Sequence, residues 1–146
     1  MDKIWEISHC LYKIGGVKLF ARAFELLGFI INSNAISAKA SIGKGTVFHH
    51  HGCGCVVHDK TIIGNDCKIF QNTTIGSKWS NGICEGGAPV IGDNVFIGAG
   101  AVILGDITIG DNAIIGANAV VLNNIPSNVI AIGIPAKIIT NRMDVE

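Results

Sequence analysis

Between Val90 and Pro126 the chain repeats a pattern of apolar and polar positions every six residues. Each repeat begins with a branched aliphatic residue, at Ile91, Ile97, Ile103, Ile109, Ile115 and Val121. A helix needs apolar spacings of about 3.6 residues and an exposed strand needs spacings of two, so neither element alone accounts for the period. Six residues make one flat side of a triangular coil, and three sides make one turn. The pattern therefore predicts a β-solenoid, whose coils bury a core only by stacking.

Each repeat also predicts a second inward position, four residues after the aliphatic one. This position is occupied by Val95, Ala101, Ile107, Ala113 and Ala119. The triplets that precede these residues, such as Gly92-Asp93-Asn94 and Gly98-Ala99-Gly100, contain residue types that tolerate unusual backbone angles. We expect the triplets to form the corners of the coil.

The same repeat runs through residues 34–89, where it is interrupted twice. It begins at Ile36, Ile42, Phe48, Val57, Ile63, Ile69 and Ile75. The step from Phe48 to Val57 is nine residues and the step from Ile75 to Ile91 is sixteen, so an irregular loop must leave the coil within residues 76–89. Thirteen repeat starts make a little over four coils, about 20 Å tall. Because a break in a regular repeat costs packing, we expect function to be located at these breaks.

In residues 1–33 the apolar residues recur at helical spacing instead of every six residues. Two apolar stripes flank the helix-breaking pair Gly15-Gly16, so two short helices are predicted. The stripes are Ile4, Ile7, Leu11 and Ile14, then Val17, Phe20, Phe24, Leu27 and Ile31. The helices are expected to cap the open end of the solenoid or to pack on a neighbouring subunit. An alternative is weak attachment to a membrane surface, because aromatic residues lie near Lys13, Lys18 and Arg22.

Composition narrows the classes of function. The 146 residues suit one domain, and 11 Lys plus Arg balance 11 Asp plus Glu. This neutrality gives no electrostatic reason to expect nucleic acid or an anionic membrane as a partner. Five cysteines without framework spacing, and an amino terminus without signal-peptide order, predict a reducing cytoplasm. The sequence has no uninterrupted run of eighteen apolar residues, so no membrane-spanning helix is predicted.

The first break contains a run of three histidines, His49 to His51, which Gly52-Cys53-Gly54-Cys55 and then His58 and Asp59 follow. An imidazole near neutral pH can take a proton from a hydroxyl and return it to a leaving thiolate. Direct acyl transfer from a thioester has this requirement. At most two of three consecutive histidines share a face of extended chain, so the others are expected at the surface or in support of the site.

Two other interpretations of the histidine run stay open. It can be an exposed polar corner without a chemical role. The other interpretation is a zinc site, because residues of the types that bind zinc stand close together in the sequence. They are His49, His51, Cys53, Cys55 and His58. The H-x-H-x-C-x-C spacing matches no closed zinc pattern and spreads the ligands along a line, so metal binding is disfavoured. The cysteines are then interpreted as small apolar fillers.

Several segments carry a family resemblance. They are the hexads, HHGCGCVV at residues 50–57, IGNDCKIFQNTTIG at residues 63–76, GAGAVILGDITIG at residues 98–110 and GIPAK at residues 133–137. Over residues 36–139 the chain resembles the hexapeptide-repeat acyltransferases, and most of all serine acetyltransferases and the O-acetyltransferases of surface-polysaccharide gene clusters. The resemblance implies an all-β fold, a left-handed parallel β-helix that is an exception to right-handed crossovers, after a short N-terminal α-helical segment. It also implies a homotrimer with active sites in the clefts between subunits.

The resemblance implies roles for individual residues as well. His51 matches the catalytic histidine, which is the general base toward the acceptor hydroxyl, and His50 stands where the serine enzymes have an orienting aspartate. The implied co-substrate is acetyl-CoA, and no metal is expected. Coenzyme A is expected to lie against main-chain groups at small residues, with a basic residue near its phosphates. The matching positions are Gly76, Ser77, Ala99, Ala117 and Lys137.

Two departures from the serine enzymes concern the acceptor. Those enzymes end the irregular loop with Arg-His-Pro, whose basic residues hold the amino acid, whereas this chain has Gly87-Ala88-Pro89. They also carry a large helical domain before the repeats, where this sequence is expected to have only the short helical segment at residues 1–33. The sequence therefore predicts an acetyl-CoA-dependent O-acetyltransferase that acts on a sugar hydroxyl of a surface polysaccharide or its precursor. The alternatives are a serine O-acetyltransferase and a non-catalytic or zinc-binding β-helix protein.

The predicted organisation has three parts. A helical segment at residues 1–33 precedes a β-helix at residues 34–139, which has an irregular loop at residues 76–90, and a tail follows at residues 140–146. The expected partners are a small-molecule or glycan acceptor and two further copies of the chain, without nucleic acid.

Overall fold

The structure is a computed structural model that describes residues 3–14, 18–84 and 86–141. The predicted helix break at Gly15-Gly16 and residues 142–146 of the predicted tail lie outside these ranges. Within them the chain forms two helices, which are followed by seventeen short strands.

The two helices cover the start of the coil. Helix α1 spans Lys3–Lys13 and α2 spans Lys18–Asn32, which confirms the two predicted helices. The Ser8 hydroxyl donates a buried hydrogen bond of 2.9 Å to the carbonyl of Ala21 and so joins the helices. Trp5 is buried in the same core as the coils, and its Nε1 donates to the carbonyl oxygen of Ser37 at 3.0 Å. The helical segment therefore packs on the first coil, as a cap does.

The other face of α2 remains apolar and exposed. Its large exposed side chains are Leu19, Phe20, Leu26, Leu27, Phe29, Ile30 and Ile31. Contact of this face with a neighbouring subunit or with a membrane surface stays a prediction. None of the described helices is long and apolar enough to cross a bilayer.

The strands form three main sheets. Sheet 1 contains β1 (Ala35–Ile36), β4 (Val56–Val57), β7 (Thr74–Gly76), β12 (Val102–Leu104) and β15 (Val120–Val121). Sheet 2 contains β2 (Ser41–Ile42), β5 (Ile62–Ile63), β10 (Val90–Ile91) and β13 (Thr108–Ile109). Sheet 3 contains β3 (Val47–Phe48), β6 (Lys68–Ile69), β11 (Phe96–Ile97), β14 (Ile114–Ile115), β16 (Val129–Ile132) and β17 (Lys137–Asn141).

The chain visits sheets 1, 2 and 3 in rotation, so each round is one turn of a three-sided coil. The pairs within each sheet are parallel except β16 with β17, which is antiparallel. The register places repeat starts on one another: Val57 pairs with Ile75, and Ile75 pairs with Ile103. This pairing confirms the predicted stacking of the hexads.

The core consists of the positions that the repeat predicts. The repeat starts from Ile63 to Val121 are between 0 and 2% exposed, and all five second inward positions are buried. At the corners, Asn94 (φ 54°), Asn112 (φ 59°) and Gly100 (φ 72°) adopt the left-handed conformation. Asn94 Nδ2 also donates to Asn112 Oδ1 at 2.8 Å, so the corner side chains bond from coil to coil. The predicted corners are thus confirmed.

Both breaks in the repeat are visible in the structure. The first is a tight turn at His49–Gly52. The second contains an antiparallel hairpin of β8 (Trp79–Ser80) and β9 (Ile83–Cys84), which confirms that the chain leaves the coil there. The hairpin itself was not predicted, although Asn81-Gly82 is a strong two-residue turn signal and both residues have positive φ.

Candidate active site

The backbone at the first break is held in an unusual conformation. His50 (φ 53°, ψ 38°) and His51 (φ 58°, ψ 22°) are both left-handed, and Gly52 follows with φ 67°. This conformation costs an L-residue roughly 1 kcal/mol, whereas glycine adopts it freely. Two consecutive strained residues persist only where the surrounding structure holds them, and such positions concentrate at functional sites.

The three histidine rings have different surroundings. The His49 ring stacks on Phe70, with 4.4 Å between centroids and 14° between planes. Phe70 in turn contacts Phe96 at 5.1 Å, and the His50 ring is tilted against Phe70 at 6.3 Å. His50 and His51 are exposed, while His49 is half-buried. The run is thus divided into one packed ring and two rings that face solvent.

Asn34 supports the turn from the start of the first coil. Its Nδ2 donates to the carbonyl oxygen of His51 at 3.2 Å, and the residue is only 5% exposed. A side chain on Gly52 would meet the Asn34 amide and Ile36 at 3.3 to 3.4 Å, so the turn packs closely on this strand. Sequence reasoning missed Asn34, because it precedes the first hexad and belongs to no motif.

His51 lies on one vertical edge of the coil, where sheet 3 turns into sheet 1. We call this the first edge. Ala99 and Ala117 occupy the same edge on later coils. Backbone hydrogen bonds join its corners, from Asn72 N to Cys53 O at 2.8 Å, Gly100 N to Gln71 O at 3.0 Å and Asn118 N to Ala99 O at 2.8 Å. Lys137 pairs with Ile132, where β16 reaches this edge, and its side chain is exposed.

Gly76 and Ser77 lie on a different edge, where sheet 1 turns into sheet 2. We call this the second edge. One side of the coil separates the two edges, about five residues or roughly 16 Å of strand. The structure therefore does not bring Gly76 and Ser77 to His51 within one chain. The Ser77 hydroxyl is buried and makes no hydrogen bond within the described ranges.

His58 also lies on the second edge, apart from the other site histidines. Its Nδ1 is 3.0 Å from Asp59 Oδ1, and the backbone N–H of Lys60 donates to the same nitrogen at 3.2 Å. Lys39 Nζ pairs with the other Asp59 oxygen at 3.5 Å. The cluster links the first coil to the second. The sequence indicates a role for His58 only as a zinc ligand.

The zinc ligand set is not assembled. Cys55 is buried, its Sγ donates to the Phe70 carbonyl at 3.3 Å, and burial raises the pKa of its thiol. Cys53 is exposed, and His58 lies on the second edge, whereas His51 lies on the first. In the part of the chain that the structure describes, no three His, Cys, Asp or Glu residues form a group that can hold a metal ion.

The end of the irregular loop is closely packed. A side chain at position 87 would collide with Asp106 on the next coil, and Ala88 is buried, with 7% of its surface exposed. Packing against Asp106 therefore favours glycine at position 87, where serine enzymes carry a basic residue.

Comparisons with known proteins agree with this architecture. The bacterial transferase hexapeptide family (six repeats) matches residues 88–123. A serine acetyltransferase of Helicobacter pylori (strain J99) is 39% identical over 93% of this chain and 77% of its own length. The chain belongs to the serine acetyltransferase family. The family match confirms the resemblance that the hexads and the histidine motif indicated.

Two further members of the family show how much of a serine acetyltransferase this chain covers. The enzyme of Buchnera aphidicola subsp. Schizaphis graminum is 39% identical over 92% of this chain and 51% of its own length. A solved serine acetyltransferase in complex with CoA is 36% identical, with a TM-score of 0.81 over 93% of this chain and 54% of that one. The chain thus spans about half the length of the first relatives it matches.

Proposed function

We propose that this chain is an O-acetyltransferase that moves an acetyl group from acetyl-CoA to a hydroxyl, with His51 as the general base. One observation carries the proposal: the exposed His51 is held in a left-handed turn by the buried Asn34. Its position on the first edge, in line with Ala99 and Ala117, matches where the family resemblance places the base and the donor. The relatives are named serine acetyltransferases, which supports transfer of an acetyl group to a hydroxyl.

The proposed reaction is a direct transfer. The neutral His51 imidazole accepts the proton of the acceptor hydroxyl while the oxygen attacks the thioester carbonyl carbon. The carbon–sulfur bond then breaks, and the imidazolium returns the proton to the leaving thiolate of coenzyme A. No further reactant is needed, because the acetyl group and one proton exchange places between the two substrates.

Coenzyme A is proposed to lie in a cleft between two copies of the chain. Ala99 and Ala117 supply small residues on the first edge of one copy, with Lys137 near the phosphates. Gly76 and Ser77 supply the second edge of the neighbouring copy. This arrangement requires the predicted homotrimer, and we propose the left-handed β-helix, with a helical segment at 1–33 and coils at 34–139, as its subunit.

A small hydroxy amino acid such as serine is the first candidate acceptor. The relatives are serine acetyltransferases, and they support this alternative better than the sugar acceptor that the sequence predicted. A sugar hydroxyl is the second candidate, favoured by the loop end, where Gly87 packs against Asp106 in place of an arginine.

The experiment is an acetyl-transfer screen with His51→Ala and His50→Ala as paired variants. Acetyl-CoA is supplied with L-serine, nucleotide sugars or glycan fragments, and the acetylated product is measured by mass spectrometry. His51→Ala is expected to lower the rate by about 10²- to 10⁴-fold without changing CoA binding, because only the general base is lost. His50→Ala is expected to cost less, since a neutral imidazole at most hydrogen-bonds to His51.

Two outcomes contradict this proposal. If the two variants rank in the opposite order with the oligomer intact in both, His50 is the base. If calorimetry shows no binding of acetyl-CoA or CoA at millimolar ligand, the chain is not a transferase.

A further inference from the structure

A lysine from the preceding coil stands beside the end of the irregular loop. Lys60 Nζ donates to the carbonyl oxygen of Gly86 at 3.3 Å. Ile62 pairs with Val90 in sheet 2, and this register continued back by two residues places Lys60 next to Ala88. The position at which serine enzymes carry their basic pair therefore has a cation beside it, although residues 87 and 88 supply none.

The charges around Lys60 leave its ammonium available. Asp59 pairs with Lys39 at 3.5 Å. Among the described residues Lys60 forms no ion pair, and its side chain is exposed. Its hydrogen bond to Gly86 uses one of three ammonium N–H donors, and the described residues leave the other two unused. Among the residues that the structure describes, Asp106 is a charged side chain that packs against Gly87 at this corner.

We propose that Lys60 selects the acceptor by pairing with the carboxylate of a small hydroxy acid, such as serine. This inference rests on the proposed function and deepens it. A carboxylate enclosed between subunits without a partner is costly, and a charge-assisted hydrogen bond to an ammonium removes that cost. Lys60 thereby supplies the positive charge that the basic pair supplies in serine enzymes. At the loop end itself, Gly87 packs against Asp106.

The placement of Lys60 also determines how the site is shared. Lys60 lies on the second edge and His51 on the first edge, about 16 Å apart along one side of the coil. A small acceptor cannot contact both within one chain. The acceptor therefore meets His51 of one copy and Lys60 of the neighbouring copy, and the site is incomplete in a monomer.

The first test compares L-serine with L-serinamide, which lacks the carboxylate, as acceptors for Lys60→Gln. The variant is expected to lose about 10- to 100-fold in kcat/KM for serine, through KM, because one charge-assisted hydrogen bond is removed. Its kcat/KM for serinamide and its KM for acetyl-CoA stay unchanged. Lys60→Arg restores serine use. Lys44→Gln, at an exposed lysine on the corner between sheets 2 and 3, is the matched control and has no effect.

Several results overturn the role of Lys60. Wild-type protein that uses serine and serinamide equally, or that acetylates only neutral sugars, contradicts it while leaving the transferase proposal intact. A Lys60→Gln variant whose kcat/KM falls equally for serine and serinamide also contradicts it. If wild-type protein acetylates none of the acceptors, the transferase proposal fails, and calorimetry with L-serine then decides whether Lys60 binds a carboxylate. If wild type and Lys60→Gln bind L-serine equally, the proposed role of Lys60 is overturned.

The second test is complementation between chains. Co-expressed His51→Ala and Lys60→Gln chains are assayed at serine concentrations below KM. With random mixing, roughly a quarter of the interfaces combine both wild-type residues, so about that share of activity is expected to return. Activity no greater than the average of the two variants alone shows that both residues act within one chain, which overturns the shared site.

Discussion

At the residue scale, three threonines show how one repeat position differs from coil to coil. Thr46, Thr61 and Thr73 all occupy the second inward position, and all are buried. Thr46 Oγ1 donates to Gly64 O at 2.7 Å and accepts from Cys67 N at 3.1 Å. Thr73 Oγ1 donates to Phe70 O at 2.7 Å. Thr61 Oγ1 has no hydrogen-bond partner within residues 3–14, 18–84 and 86–141, so its burial is uncompensated.

We expect Thr61→Val to raise the free energy of unfolding by about 1 kcal/mol, because valine keeps the shape and removes the unsatisfied hydroxyl. Thr73→Val is the matched control and is expected to lower it by about 1 kcal/mol, because a made hydrogen bond is lost. Urea unfolding at one fixed protein concentration measures both. Equal losses in the two variants would show that Thr61 has a partner in solution.

At the scale of elements, the helical segment is attached to the first coil through specific contacts. Trp5 is 5% exposed, and its ring stacks on His9 with 4.8 Å between centroids. His9 Nδ1 lies 2.7 Å from the carbonyl oxygen of Ala38, and Ala38 N donates to Glu25 Oε1 at 2.6 Å. Both helices thus satisfy backbone groups of the first coil, which has no earlier coil to bond with.

We expect Trp5→Ala to lower the free energy of unfolding by about 3 kcal/mol or more, since a large buried ring and its hydrogen bond are both removed. Phe20→Ala is the control, because Phe20 lies on the exposed face of α2 at 60% exposure. Urea unfolding measures stability, and amide hydrogen exchange at residues 35–42 reports on the first coil. If the two variants behave alike, α1 does not act as a cap.

At the scale of the whole molecule, the candidate site residues lie on two edges with one side of the coil between them. Ala99 and Ala117 share the first edge with His51, whereas Gly76 and Ser77 lie on the second edge. A single chain cannot place both sets around one substrate. Association of copies through the sides of the coil is the arrangement that joins a first edge to a second edge.

We therefore expect light scattering at micromolar concentration to give a homotrimer of roughly 46 kDa, three times the 15.3 kDa of one chain. His51→Ala is expected to have the same mass, because its exposed ring is not needed for assembly. A monomer under these conditions would count strongly against a site shared between copies.

Much of this fold was predictable because its information is local. The aliphatic spacing from Ile91 to Val121 determined the coil, and the Gly-Asp-Asn triplets determined its corners. The two frame breaks located the histidine turn and the irregular loop. Each of these features depends on residues within a few positions of one another, and the repeat then determines which positions stack.

The site depended on contacts that no local pattern encodes. The sequence by itself determined the period, the core positions and the histidine run, because side-chain size and backbone tolerance act within each hexad. Only the tertiary structure decided that His49 packs on Phe70, that Asn34 holds His51 and that Lys60 stands beside Gly86. In sequence, Asn34 and His51 are 17 residues apart and Lys60 and Gly86 are 26 apart. His49 and Phe70 are 21 residues apart. The three-sided coil brings such residues together in space. The physical reason is that hydrogen bonds and ring stacking are short-ranged in space, so their partners are determined by the path of the coil.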